Sequence, residues 1–184
     1  SNVIEGIETG EFGILKNGTK SDNYTPPIHL KAKFSFFAEG SRGHLGKKLI
    51  KRYKLDENSS PQSYSLGIKE LWEVPENLSK PGKIFHGFGW PLGSSNYGGS
   101  FLYHMNNFQI SIGLIVGLNY KNPWLSPFEE FQKLKKHPKI EKLLINGKRI
   151  GYGARTITGG GLFSLPKIYF PGGALLGCDA GFLN

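Results

Sequence analysis

A chain of 184 residues with 38% hydrophobic content can form one substantial core, or two small lobes sharing one, and does not have the composition of a disordered segment. Its 23 basic residues against 14 acidic ones give a net charge of +9, which favours an anionic partner such as nucleic acid, an acidic protein or a membrane surface, without choosing among them. Cys178 is the single cysteine, which excludes an intrachain disulfide, a CxxC metal site and an iron–sulfur cluster built from four cysteines of this chain.

Taken in chain order, residues 3–30 alternate short apolar pieces with the turn signals Asn17-Gly18 and Pro26-Pro27, predicting a hairpin and a connection. Lys31 to Phe37 reads as a strand ending in Ala38-Glu39-Gly40, and Leu45, Leu49, Ile50 and Tyr53 follow at helical spacing. From Ser63 the pattern changes to strands over Tyr64 to Val74, Lys83 to Trp90, Ser100 to Met105 and Phe108 to Leu118. Asn106-Asn107 is read as a tight hairpin turn between the last two, since asparagine tolerates left-handed backbone.

Ser126-Pro127-Phe128-Glu129 opens a helix that Pro138 ends, with serine at the cap, proline at the first helical position and glutamate at the third. After Asn146-Gly147, Arg149 to Ile157 and Lys167 to Phe170 read as strands, and Gly172 to Asn184 runs from a buried strand into a glycine turn. The pattern predicts an α+β fold: a mainly antiparallel sheet with flanking helices. The basic runs Lys47 to Lys54 and Lys133 to Lys142 fall on the amphipathic helices and read as solvated faces. The longest apolar stretch, Ile110 to Leu118, is shorter than the ~20 residues of a spanning helix, and no charged leader precedes an apolar segment. The chain opens with Ser1-Asn2 and stops at Asn184 just after a glycine turn, as expected of a piece cut from something longer.

The histidines at 29, 44, 86, 104 and 137 make no HExxH or other close pair, so no metal site is expected and no catalytic residue is assigned. GxSxG, GxGxxG and P-loop patterns are absent, which argues against a hydrolase elbow and a complete nucleotide-binding domain. The segment Gly89 to His104, GWPLGSSNYGGSFLYH, mixes glycines with Trp90, Tyr97, Phe101, Tyr103 and His104, a composition that suits a backbone loop against a flat ring and equally a glycine turn entering a strand. Two strand ends, FSFFAEG at 34–40 and ALLGCDAGF at 174–182, deliver small residues into a turn and a helix start. That geometry sets backbone N–H groups against an anionic or polar cofactor edge, or makes an ordinary strand-to-helix turn.

From about Lys31 to Asn184 the chain resembles the electron transfer flavoprotein-ubiquinone oxidoreductases. The resemblance rests on FAEGSRGHLGKKL at 37–49, PQSYSLGIKELWEV at 61–74, the 89–104 segment, GLIVGLNYKNPWLSPFEEFQKLKKHP at 113–138, and GKRIGYGARTITGGGLFSLPKIYFPGGALLGCDAGFLN at 147–184. It implies an enzyme that takes electrons from reduced electron transfer flavoprotein and passes them to ubiquinone, using FAD and a [4Fe-4S] cluster. Its location would be peripheral, on a bacterial cytoplasmic face or the mitochondrial inner membrane. The implied organisation is a partial FAD-domain segment at 1–59, a ubiquinone-binding domain at 60–150 and a return to the FAD domain at 151–184. The phosphate loop would lie before residue 1 and the cluster cysteines after residue 184, leaving this fragment inactive by itself and with no cofactor bound.

By resemblance, Gly98 and Gly99 are quinone-contacting, where a missing side chain admits the ring, and Tyr97, Ser100, Tyr103 and His104 are donors or proton suppliers. Ala38, Glu39, Gly40, Gly177, Cys178, Asp179 and Gly181 are the cofactor-binding candidates. The chain departs from the family pattern at Ser41, Gly93 and Asn119, and Cys178 stands where related flavoproteins carry an aspartate, with Asp179 one residue later. Two rivals are a geranylgeranyl-reductase-like flavoenzyme acting on an isoprenoid lipid and a basic nucleic-acid-binding module. Nucleic acid is not the expected partner, because the basic residues lie on predicted helices and the aromatics on strands.

Overall fold

A computed structural model of the chain describes residues 2–183. In chain order its elements are β1 (Gly6–Glu8), β2 (Phe12–Ile14), β3 (Lys20–Thr25), β4 (His29–Lys31), β5 (Ser35–Phe37), α1 (His44–Tyr53), β6 (Tyr64–Glu73), β7 (Ile84–Gly87), β8 (Gly98–His104), β9 (Gln109–Gly117), α2 (Pro127–Lys135), α3 (Pro138–Leu144), β10 (Lys148–Thr158), β11 (Tyr169–Phe170), β12 (Gly173–Leu175) and α4 (Gly177–Ala180). They group into two compact units, one made of the residues up to Ser59 with Leu165–Phe182, the other built on Ser60–Ser164.

In the first unit β5 and β12 run parallel, with β11 antiparallel on the far side of β12. Phe37, Leu49, Leu55, Phe170, Leu175 and Ala180 form its core, and the Tyr53 ring stacks on Phe170 at 5.1 Å. The strand expected over Lys31 to Phe37 is two strands, because His29–Lys31 pairs with β1 while Ser35–Phe37 pairs with β12. Two partners in different sheets force the chain to bend between them.

The second unit is a five-stranded antiparallel sheet in the order β10-β6-β9-β8-β7. Ile110, Ile112, Leu114 and Val116, alternate residues of β9, are wholly buried and meet Leu102 of β8 and Phe131 and Leu134 of α2. Period-two alternation puts all four on one face, and each such burial contributes about 1.5–3 kcal/mol. Helix α2 starts where the capping signal placed it: the Glu129 amide donates to Ser126 Oγ, with proline at the first helical position.

Three expectations change in detail. The hairpin between β8 and β9 is longer than a tight turn, with left-handed backbone at Asn107 and Phe108 and the Met105 amide donating to the Gln109 carbonyl. Pro138 ends one helix and also begins α3, because its fixed φ suits a first helical position. Finally, β10 pairs with β6 from Lys148 to Thr158, so this unit continues to Ser164, past the boundary expected at 150, and the chain returns to the first unit at Leu165. A ladder of that length cannot be divided between units.

Candidate functional site

Cross-strand partners share a face of a sheet, so the register sorts the quinone candidates. Gly98, Ser100 and His104 lie opposite Val116, Leu114 and Ile110, on the helix-covered face, whereas Gly99 and Tyr103 lie opposite Ile115 and Ser111, on the other. The structure does not bring the six together. Tyr103 packs against the rings of Phe101 at 4.9 Å and His86 at 5.6 Å. Tyr97 precedes β8 with its side chain exposed and its carbonyl accepting from the Gly117 amide. His104 is 4% exposed, and its Nδ1 accepts from the Lys80 amide at 3.2 Å.

The glycines have local causes. A Cβ on Gly98 would collide with the Ile115 carbonyl and a Leu92 methyl, and one on Gly99 would sit 2.8 Å from the Gly87 carbonyl oxygen. The space of each missing side chain is taken by the protein's own atoms. Both glycines are thus explained by packing within the sheet.

An apolar groove of about 280 Å³ opens where β7 and β8 meet α3. Phe85, Trp90, Phe101, Leu102, Ile140 and Leu143 supply its apolar wall, and Ser100 and His137 bring polar groups to it. Of the six sequence candidates only Ser100 lines it, while Tyr97 and Gly98 line the adjoining depression under the cis Trp90–Pro91 turn. Phe88 is 92% exposed and Trp90 58% exposed at the groove's rim. The groove was not foreseen because its wall joins residues more than forty positions apart; the local signal was the run Phe85, Phe88, Trp90, whose aromatics continue past the end of β7 at Gly87.

The cofactor candidates lie in the first unit. Because β5 and β12 are parallel neighbours, their carboxyl ends bring Ala38, Glu39 and Gly40 beside the Gly177–Ala180 turn. Ligands of parallel sheets characteristically sit at this end of the strands. Gly40 and Gly177 have φ of +88° and +59° with nothing within 4 Å of where a Cβ would be, so their backbone is open to close approach. The buried Ser41 Oγ has no hydrogen-bond partner. An open glycine cradle with an orphaned hydroxyl fits the edge of a polar cofactor.

The two acids face inward instead. Glu39 Oε2 accepts from the Leu45 and Gly46 amides, both at 2.8 Å, and so caps α1 from outside the helix. Asp179 Oδ2 accepts from the Glu39 amide at 3.5 Å. Burial pushes the Asp179 carboxyl above its ordinary range and the Glu39 charge adds to this, against the Glu39 and Gly43 amides, which pull it down. Both carboxylates are occupied within the chain, leaving backbone as the surface a cofactor would meet. Cys178, beside them, is half-buried. Gly181 closes α4 in a left-handed conformation.

Residues 64–157, nearly the whole five-stranded sheet, match the family described as ETF-QO, ubiquinone-binding. The chain belongs to this family of electron transfer flavoprotein-ubiquinone oxidoreductases. It is similar to the electron transfer flavoprotein-ubiquinone oxidoreductase of Pseudomonas aeruginosa, 54% identical over 100% of this chain and 34% of that protein. It is likewise similar to the mitochondrial protein of that name from Homo sapiens, 50% identical over 98% of this chain and 30% of that protein. The chain thus spans about a third of the length of the curated relatives it matches.

Among solved structures, a geranylgeranyl bacteriochlorophyll reductase-like protein from Thermoplasma acidophilum shares 16% identity at a TM-score of 0.59, covering 84% of this chain and 36% of that one. The flavin-dependent brominase Bmp2 shares 13% at 0.56, covering 87% and 39%. These two establish likeness of fold. For a chain of the ETF-QO family, the α+β architecture expected from sequence is the one observed, with an antiparallel sheet and flanking helices.

Proposed function

We propose that the chain is the quinone-binding region, with part of the FAD-binding region, of a longer oxidoreductase that accepts electrons from reduced electron transfer flavoprotein and reduces ubiquinone. The observation that carries this reading is the coincidence of the family match at 64–157 with the sheet whose edge bears the apolar groove. A quinone head is a flat, neutral ring with two carbonyl acceptors and an apolar tail, and it needs an apolar slot with a few donors. Ser100 and His137 supply polar groups, and Phe85 and Trp90 supply ring faces. Tyr97 and Gly98 flank the groove in the adjoining depression, whereas Gly99 and Tyr103 lie on the opposite face of the sheet and His104 stands apart, with its Nδ1 already engaged.

FAD would be held through the backbone of Ala38 to Gly40 and of Gly177 to Gly181, with Ser41 offering its unpaired hydroxyl. FAD supplies the redox chemistry when bound; the chain's own part is to orient it and to keep Glu39 and Asp179 turned away from it. Cys178 is the sole cysteine, so ligation of a [4Fe-4S] cluster is assigned to other parts of the longer protein. Among the described residues no helix is long and apolar enough to cross a membrane. The peripheral membrane location draws support from the exposed Phe88 and Trp90 at the rim of the groove.

The test uses the full-length protein and a photoreactive ubiquinone analogue. Labelling should fall on peptides covering 84–104 and 137–143 and be competed by ubiquinone. Trp90→Ala should raise the KM for a quinone analogue about tenfold, equivalent to ~1.4 kcal/mol, while reduction by electron transfer flavoprotein is unchanged. Labelling confined to other segments, with an unaltered KM, would refute the assignment.

A further inference from the structure

We propose that His104 is a positioning residue: in its neutral form it pins the turn before β7, and so the wall of the groove, to the end of β8, and protonation releases the pin. The functional consequence rests on the quinone reading of the groove; the pin itself does not. Three bonds converge on this residue. The Lys80 amide donates to Nδ1 at 3.2 Å, the His104 amide donates to the Lys83 carbonyl at 2.9 Å, and the Gly82 amide donates to the His104 carbonyl at 2.9 Å. Strand β7 begins at Ile84, directly after the pinned turn, and Phe85, Gly87, Phe88 and Trp90 beyond it line the groove.

Since Nδ1 accepts, the neutral imidazole carries its proton on Nε2. A second proton makes Nδ1 a donor facing an amide N–H, so an attractive contact becomes a repulsive one in a buried place. The charged groups facing it are Lys83 and Lys80, while β7 presents Phe85, 6.3 Å away between ring centres, and β9 presents Ile110. Burial foremost, then the charges of Lys83 and Lys80, hold the imidazole below the ordinary histidine range. The pin is therefore engaged at neutral pH and lost as pH falls through the lowered value.

The experiment is hydrogen–deuterium exchange of peptides covering 79–88 in the full-length protein at about pH 7.5 and about pH 5.5, each corrected for intrinsic chemistry. Three proteins are compared: wild type, His104→Asn, whose amide oxygen can accept the same N–H without titrating, and His104→Leu. Wild-type protection should drop roughly tenfold at the lower pH, stay level in H104N and be low at both values in H104L. Should H104L not fold, H104N alone decides. Wild-type protection that does not change with pH, or that falls equally in H104N, overturns the inference. The KM for a short-chain ubiquinone analogue, followed in parallel, should rise where protection falls. Protection that behaves as expected beside a KM that ignores it supports the pin and overturns the quinone reading of the groove.

Discussion

Glu70 is 3% exposed on the helix-covered face of β6, where Lys135 donates to both of its oxygens at 3.0 and 2.9 Å, Arg149 donates at 3.1 Å and Trp72 Nε1 at 2.8 Å. Burial alone would raise its pKa, but the bonds from Lys135, Trp72 and Arg149 outweigh it and hold the carboxyl below its ordinary value. A depressed carboxylate contributes stability that is present above the ordinary glutamate value of 4.5 and lost as pH falls through the folded value. Glu70→Ala should cost about 3–5 kcal/mol in urea unfolding, since it strands the mostly buried Lys135 ammonium, and it should flatten the acid limb of the stability profile. Nothing in the segment SLGIKELWE marks Glu70 as different from Glu73, because alternation assigns a face without saying what covers it. The cover comes from α2, 65 positions away.

At the scale of the element, α1 shows how a helix can be legible in position but not in cause. Its apolar spacing and basic last turn are plain in the sequence, yet its N-cap residue Gly43 makes no side-chain cap. The capping carboxylate comes from Glu39, outside the helix, and Asp179 arrives from the far end of the chain. A Cβ on Gly46 would collide with Asp179 Oδ1. Gly46→Ala, which helix propensity alone would make stabilising by ~1 kcal/mol, should instead lower the melting temperature. A raised melting temperature would mean that the Asp179 carboxylate is not seated over the first turn of α1. The same packing explains why the acids of FAEG and GCDAGF, which the residue pattern directs at a cofactor, point into the protein.

For the whole molecule, the unit built on Ser60–Ser164 begins and ends at one place, with the Ser60 amide donating to the Phe163 carbonyl at 2.7 Å and Ser164 Oγ donating to the Pro61 carbonyl at 2.9 Å. It has its own core around β9 and α2. Residues 60–164 expressed alone should therefore fold cooperatively, giving a single thermal transition and dispersed amide resonances. Excision at 150, the boundary that the sequence motifs suggest, should give an unfolded product because it deletes most of β10. Failure of 60–164 to fold, or success of 60–150, would contradict this division.

What the sequence determined by itself was whatever depends on neighbours along the chain: the alternation that makes β9 a core strand, the Ser126 cap of α2, the stops at Pro138 and Asn146-Gly147, and the run of long motifs that marks the family. Tertiary structure alone decided which face of β8 each candidate occupies, that backbone from Ile115 and Gly87 fills the space beside Gly98 and Gly99, and that the groove is walled jointly by β7, β8 and α3. The physical reason is range. Periodicity and capping are settled within a few residues, whereas a site needs groups that only long-range pairing brings within a few ångströms of one another.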